Sequence, residues 1–203
     1  MTKNADGSVI LNVTYEMLER MEKEECKKIE LHPEKLNNLE NQMIKGKYHK
    51  YGFLEKDELN IVKKIMPLLQ YVGILKEIIT SEDRWCYQMN LKALVETYKK
   101  LSANSAFHFN PKKFNKVMMH SSSCYSATEF YVTELHPDGV FFGYVILGGY
   151  YELAEWGRFS LSQIFSVPGM GIDFLNIREP ESIDSMLHFK APEIYPENKS
   201  VIA

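Results

Sequence analysis

The spacing of apolar residues changes character near the middle of the chain. Through residues 14–103 they recur at helical offsets: Leu18 and Met21, then Leu36, Leu39, Met43 and Ile44, then Leu59, Val62, Ile65 or Met66, and Leu69, and finally Leu94, Tyr98 and Leu101. Thr14 is placed to cap a first helix reaching about Glu30, Pro33 suits the first turn of a second, and Gly46 is placed to end it. A third helix begins near Lys56, and Pro67 inside its pattern predicts a kink or a restart. Between this helix and a last one over 91–101, residues 73–79 and 84–89 flank a polar turn at 80–83, which predicts a β-hairpin.

Beyond residue 107 the period shortens. Residues 127–135 alternate Phe130, Val132 and Glu134 against Glu129, Tyr131, Thr133 and Leu135, so neither face of this strand is cleanly polar. Residues 140–147 are apolar at nearly every position, the mark of a strand covered on both sides and central to its core. His136-Pro137-Asp138-Gly139 joins the two as a hairpin turn, and Gly143 predicts a bulge or a close backbone approach. Glu155-x-Gly157-x-Phe159 reads as a tight corner, after which Ser160 or Ser162 caps a short helix holding Ile164 and Phe165. The run Ser121-Ser122-Ser123 between His120 and Cys124 reads as a loop. The fold class is therefore α+β: a mostly helical half with a β-hairpin over 1–103, and a small antiparallel sheet with short helices over 104–203.

Composition adds little constraint, with 45% apolar and 25% charged residues, ordinary values for a soluble globular protein. The longest charge-free apolar stretch, 140–151, falls short of the roughly 20 residues that cross a bilayer, and residues 1–8 lack a signal-peptide layout. The expectation is a cytoplasmic protein without a membrane partner, whose Cys26, Cys86 and Cys124 are free thiols. Charge divides unevenly: residues 1–103 hold 17 Lys+Arg against 16 Asp+Glu, and residues 104–203 hold 7 against 11. Lys45, Lys47, Lys50, Lys56, Lys63 and Lys64 crowd one region, which reads either as a solvated helical surface or as an anion-binding or nucleic-acid-binding patch.

Catalytic constellations are not found. His120 and Cys124 have no second ligand pair at zinc spacing, and Cys124 with His120 or His136 lacks an orienting third group or an oxyanion motif. Gly169-Met170-Gly171 lacks the strand and helix that frame a phosphate cradle. No enzymatic activity, cofactor or metal is expected.

Two resemblances bear on function. Leu68-Leu69-Gln70-Tyr71-Val72-Gly73-Ile74-Leu75 and Tyr87-Gln88-Met89-Asn90 resemble a winged-helix domain, in which a helix ending in a leucine pair leads into a wing that returns on a Tyr-containing strand. That resemblance implies a third helix presenting Lys56, Asn60, Lys63 and Lys64 to a nucleic-acid groove, with Arg84 on the wing, or a protein-binding relative of such a domain. In the second half, residues 130–138, Phe141-Phe142-Gly143, Glu155-Trp156-Gly157-Arg158-Phe159-Ser160-Leu161 and Leu187-His188-Phe189-Lys190 resemble a family of small proteins of unknown function encoded on bacterial plasmids, conjugative elements and phages. Trp156 and Arg158 depart from the Leu and Tyr usual beside Gly157, and a few extra residues separate Pro168 from Leu187. The family has no established activity, and its members often lie near anti-restriction genes.

The sequence therefore points first to a non-enzymatic interaction protein of a phage or other mobile element, an inhibitor of a host defence system of the anti-CRISPR or anti-restriction kind. Its partner is a host protein or a protein–nucleic acid effector, met by Tyr150, Tyr151, Glu152, Glu155, Trp156 and Arg158. The alternative is a winged-helix DNA-binding regulator or replication accessory protein acting through Lys56, Asn60, Lys63, Lys64 and Arg84. Oligomeric state stays open.

Overall fold

The computed structural model describes residues 2–3, 9–10, 14–45, 54–103, 116–178 and 181–194. A two-stranded ribbon, β1 (Thr2–Lys3) with β2 (Val9–Ile10), precedes helices α1 (Tyr15–Glu30), α2 (Pro33–Lys45), α3 (Lys56–Ile65), α4 (Leu68–Thr80) and α5 (Arg84–Ala103). The sheet half contains β3 (Met119–Ser123), β4 (Glu129–Leu135), β5 (Phe141–Ile146), β6 (Glu155–Phe159), α6 (Leu161–Phe165), β7 (Met170–Ile172), α7 (Phe174–Arg178) and α8 (Ile183–Lys190). The fold is α+β, helical first and sheet-based second. Gly46, residues 47–53, and the expected boundary at Asn104-Ser105 lie outside the described residues.

The helix ends follow local chemistry. Thr14 Oγ1 accepts from the Met17 N–H at the start of α1, and Ser160 with Gln163 forms a capping box on α6. At Pro67 the chain breaks rather than kinks: Met66 takes an extended conformation and α4 restarts at Leu68.

The hairpin expected over 73–89 is not formed. Its two arms are the body of α4 and the beginning of α5. The reason lies in the period: Tyr71, Val72, Leu75 and Ile78 make one buried stripe, and Gln88, Leu91 and Val95 another, whereas either arm as a strand would divide these residues between two faces. A Cβ on Gly73 would meet nothing within 4 Å, so this glycine marks no turn. The wing of a winged helix is thus replaced by helix, and Arg84 sits in the first turn of α5.

In the five-stranded antiparallel sheet the order is β6-β5-β4-β3-β7. The 136–139 turn closes β4 onto β5 as expected, with Gly139 at φ 81° and the His136 N–H donating to the Val140 carbonyl at 2.8 Å. Gly143 meets the predicted close approach: a Cβ there would lie 1.9 Å from the Tyr131 carbonyl oxygen, beside a register shift between Val132 and Glu134. Three expectations need correction. The central strand is β4 and not β5, because the Ser121-Ser122-Ser123 run, expected as a loop, belongs to strand β3 and so extends the sheet on the far side of β4. Glu155 to Phe159 is the edge strand β6, and Gly157 has no positive φ, so no corner occurs there. Met21, placed on the buried side of α1, is 55% exposed.

The sheet separates two cores. One face carries Phe130, Val132, Phe141 and Phe159 into the same cluster as Val62, Leu75 and Leu91 of the helices, and Glu22 of α1 also accepts from the Gly169 N–H at 2.8 Å. The other face, with Tyr131, Tyr144 and Ile146, is covered by Ile183 and Leu187 of α8. Among the described residues no helix is long and apolar enough to cross a membrane.

Candidate functional site

Alternation along β3 turns Met119 toward the helices and His120 toward the α8 face, where the ladder sets it opposite Tyr131 and sets Ser122 opposite Glu129. The His120 and Tyr131 rings stack with centroids 4.5 Å apart. His120 Nε2 lies 2.8 Å from Glu129 Oε2, and Nδ1 lies 3.2 Å from Asp173 Oδ2 on the corner between β7 and α7. The Tyr131 hydroxyl donates to Glu129 Oε2 at 2.5 Å, and Lys190 at the end of α8 donates to the same oxygen.

These contacts govern the charges. Burial works to raise the Glu129 carboxyl, but hydrogen bonds from His120, Lys190 and Tyr131 outweigh it and hold the group at about 2. For His120 burial opposes the charged form, while Asp173 and Glu129 together raise its pKa above the ordinary value. Asp173 is lowered by its bond to His120. The Tyr131 hydroxyl is pushed up by burial and by the adjacent Glu129. With the imidazole protonated, two cations meet two anions and both ring nitrogens donate.

A general base needs a free nitrogen within reach of substrate. His120 is only 4% exposed, and a carboxylate occupies each of its nitrogens. The set instead fastens α8 and the corner before α7 to the sheet. Cys124 is exposed in the turn between β3 and β4, with Sγ 3.6 Å from the Gly169 carbonyl, and His136 lies beyond the opposite end of β4. Among the described residues no group of His, Cys, Asp and Glu side chains is arranged to hold a metal ion.

The expected contact residues form a different kind of site. After β5, Gly148 and Gly149 take positive φ, and the Tyr150 N–H returns to the Leu147 carbonyl while the Leu153 N–H bonds the Tyr150 carbonyl. This compact turn leaves Leu147, Tyr150 and Leu153 61%, 63% and 77% exposed, which is unusual for three large apolar side chains so close in sequence. Glu152 and Glu155 are exposed beside them, whereas Tyr151 is half-buried against the α8-side core. Trp156 is half-buried too, stacked on Phe142 at 5.7 Å and edge-on to Tyr144 at 5.5 Å. Arg158 is exposed and bonds Asp138 at 2.5 Å.

The edges of the sheet are treated differently. On β7 the Gln70 side chain receives the Ile172 N–H at 2.8 Å and donates to the Ile172 carbonyl at 3.0 Å, occupying the outer edge as a neighbouring strand would. Among the described residues, no backbone group of β6 bonds to anything but β5. Open strand and exposed turn adjoin in the chain. Leu147, Leu153 and the open edge were missed in the sequence, since their exposure depends on the sheet order; the double glycine at 148–149 was the available signal.

The residues of the DNA-binding alternative are partly engaged elsewhere. Lys63 pairs with Glu40 at 3.1 Å, and Lys64 lies near the Tyr98 hydroxyl at 3.5 Å. Lys56 and Asn60 line a depression that also contains Glu40, and Arg84 Nε donates to the Ser81 carbonyl at 3.0 Å. Sequence comparison with protein families and curated proteins, and structural comparison with solved structures, found no match to the chain.

Proposed function

We propose that this protein acts by binding another protein through the 147–153 turn and the open edge of β6, and that it serves a phage or other mobile element as an inhibitor of a bacterial defence system. The observation that carries the binding reading is the exposure of Leu147, Tyr150 and Leu153 on one hydrogen-bonded turn that runs into β6, a strand whose outer edge has no backbone partner among the described residues. Edge strands offer a partner's backbone a ready ladder, and flanking apolar groups add the burial that gives affinity. Trp156, braced by Phe142 and Tyr144, supplies a rigid aromatic at the same edge. The defence setting rests on the resemblance of residues 130–161 and 187–190 to the mobile-element family.

The test is a plasmid-transformation assay in cells with an active restriction or CRISPR system, combined with affinity capture of the bound effector. The wild-type chain is expected to raise transformation and retain a component of that system. Tyr150→Asp with Leu153→Asp, at an unchanged melting temperature, is expected to abolish both effects. Equal transformation with and without the wild-type chain across such systems would refute the defence role, and capture unaffected by the double substitution would refute the surface.

A further inference from the structure

A groove of about 360 Å³ lies on the helical half, far in sequence from the turn and edge strand. Its floor is aliphatic: Ile29 of α1, Leu36 and Leu39 of α2, and Val72 of α4. Leu36 and Val72 are buried, while Ile29 and Leu39 are half-exposed and so leave apolar surface open to a ligand. The rim is basic, with Lys28, His32, Lys35 and Lys76 set against the single acid Glu25. Glu25 is committed to Lys28 at 2.5 Å, and Glu34 outside the groove sits 3.1 Å from His32 Nδ1. Among the described residues Lys35 and Lys76, on different helices, form no ion pair.

We propose that this groove binds an amphiphilic anion, a medium-chain carboxylate whose hydrocarbon tail lies on the aliphatic floor and whose head meets Lys35 and Lys76. The rim is cationic although the chain as a whole carries a net charge of −3, so the attraction is local to the groove. The size lies at the lower end of the range for small-ligand pockets, roughly 300–1,000 Å³, which fits one alkyl chain better than an amphipathic helix several turns long. Each part of the ligand has a matching surface: the tail leaves water against aliphatic carbon, and the carboxylate gains two ammonium groups that no described acid neutralises.

Isothermal titration of the full chain with decanoate, below its micelle concentration, tests this. A single saturable site is expected, weakening as salt is added. Decyltrimethylammonium, with the same tail and the opposite head, and butyrate, with the same head and a short tail, are expected to bind on the order of tenfold more weakly or not at all. Lys35→Glu with Lys76→Glu, a surface change that leaves the core intact, is expected to reduce decanoate affinity at least about tenfold. Leu39→Trp, which fills the groove, is expected to do the same, and Tyr150→Asp with Leu153→Asp to leave binding unchanged, so this site stands or falls apart from the proposed protein contact. Equal binding of decanoate and decyltrimethylammonium, or decanoate affinity untouched by the lysine pair, would overturn the assignment. So would absence of saturable decanoate binding, and saturable binding of an acidic amphipathic peptide in its place would assign the groove to a protein segment instead.

Discussion

Replacing Glu129 with Gln keeps the side-chain shape and removes the charge around which His120, Lys190 and Tyr131 are gathered. The carboxyl is held at about 2 against an ordinary value of 4.5. At about 1.4 kcal/mol per pH unit, the ionised form stabilises the fold by about 3 kcal/mol near neutral pH. Loss of one partner of a buried ion pair gives a similar figure, about 3–5 kcal/mol. For a chain of this length the melting temperature should fall by about 6–12 °C. Urea unfolding followed by circular dichroism across pH provides the fuller test. Glu129 has a lowered folded value, so its contribution is complete above 4.5 and disappears as pH falls toward 2. His120 has a raised folded value, so its contribution is complete below 6.5 and disappears as pH rises through that higher value. The wild-type profile should therefore be highest between these limits. In Glu129→Gln the acid limb loses the Glu129 share and keeps the parts supplied by other lowered carboxyls, Asp173 and Glu58 among them, and the alkaline limb shrinks because Asp173 is the one carboxylate left against the His120 ring. An unchanged pH profile, with stability within about 0.5 kcal/mol of wild type, would refute the clamp.

Gly143→Ala drives a Cβ to 1.9 Å from the Tyr131 carbonyl oxygen and should cost about 3 kcal/mol or prevent folding, while Gly157→Ala, with nothing within 4 Å, should gain about 0.5 kcal/mol; equal denaturation midpoints would contradict the difference. Gln70→Ala removes both bonds to Ile172 and should cost about 1–2 kcal/mol while exposing the β7 edge, so light scattering on heating should begin earlier than in wild type. Glu58, held at about 2 against burial by Lys92 and Lys99, ties α3 to α5; because those lysines are 37% and 53% exposed, Glu58→Gln should cost only about 1 kcal/mol, and an effect as large as that of Glu129→Gln would show that solvent screening was overestimated.

Much of the architecture was legible where a single local signal acted alone. Thr14, Pro33, Pro67 and Ser160 mark helix boundaries through their own backbone chemistry, and His136-Pro137-Asp138-Gly139 marks a hairpin in the same way. Two opposing errors arose where local composition competed with packing. Residues 73–89 hold β-branched and aromatic side chains about a polar turn, yet the buried stripes of α4 and α5 made helix the better solution. Residues 120–123 are polar, yet with Met119 they form a strand because β4 and β7 satisfy the backbone on both sides and Glu129 and Asp173 take up His120. Neither partner of His120 is a sequence neighbour. The candidate contact residues divide similarly: Tyr150, Glu152, Glu155 and Arg158 are exposed, whereas Tyr151 and Trp156 gave part of their surface to the core.

By itself the sequence determined the α+β class, the helix caps, the hairpin after β4 and the need for glycine at 143, because each depends on residues within a turn or on a repeating period. Only the tertiary structure decided that β3 and β7 complete the sheet, that Gln70 closes one edge while the outer edge of β6 meets no backbone partner among the described residues, and that His120 joins Glu129, Asp173 and Lys190 beneath α8. Those features depend on side chains as far apart as 102 positions, and a hydrogen bond or ion pair over that distance exists only once the fold has brought its two ends together.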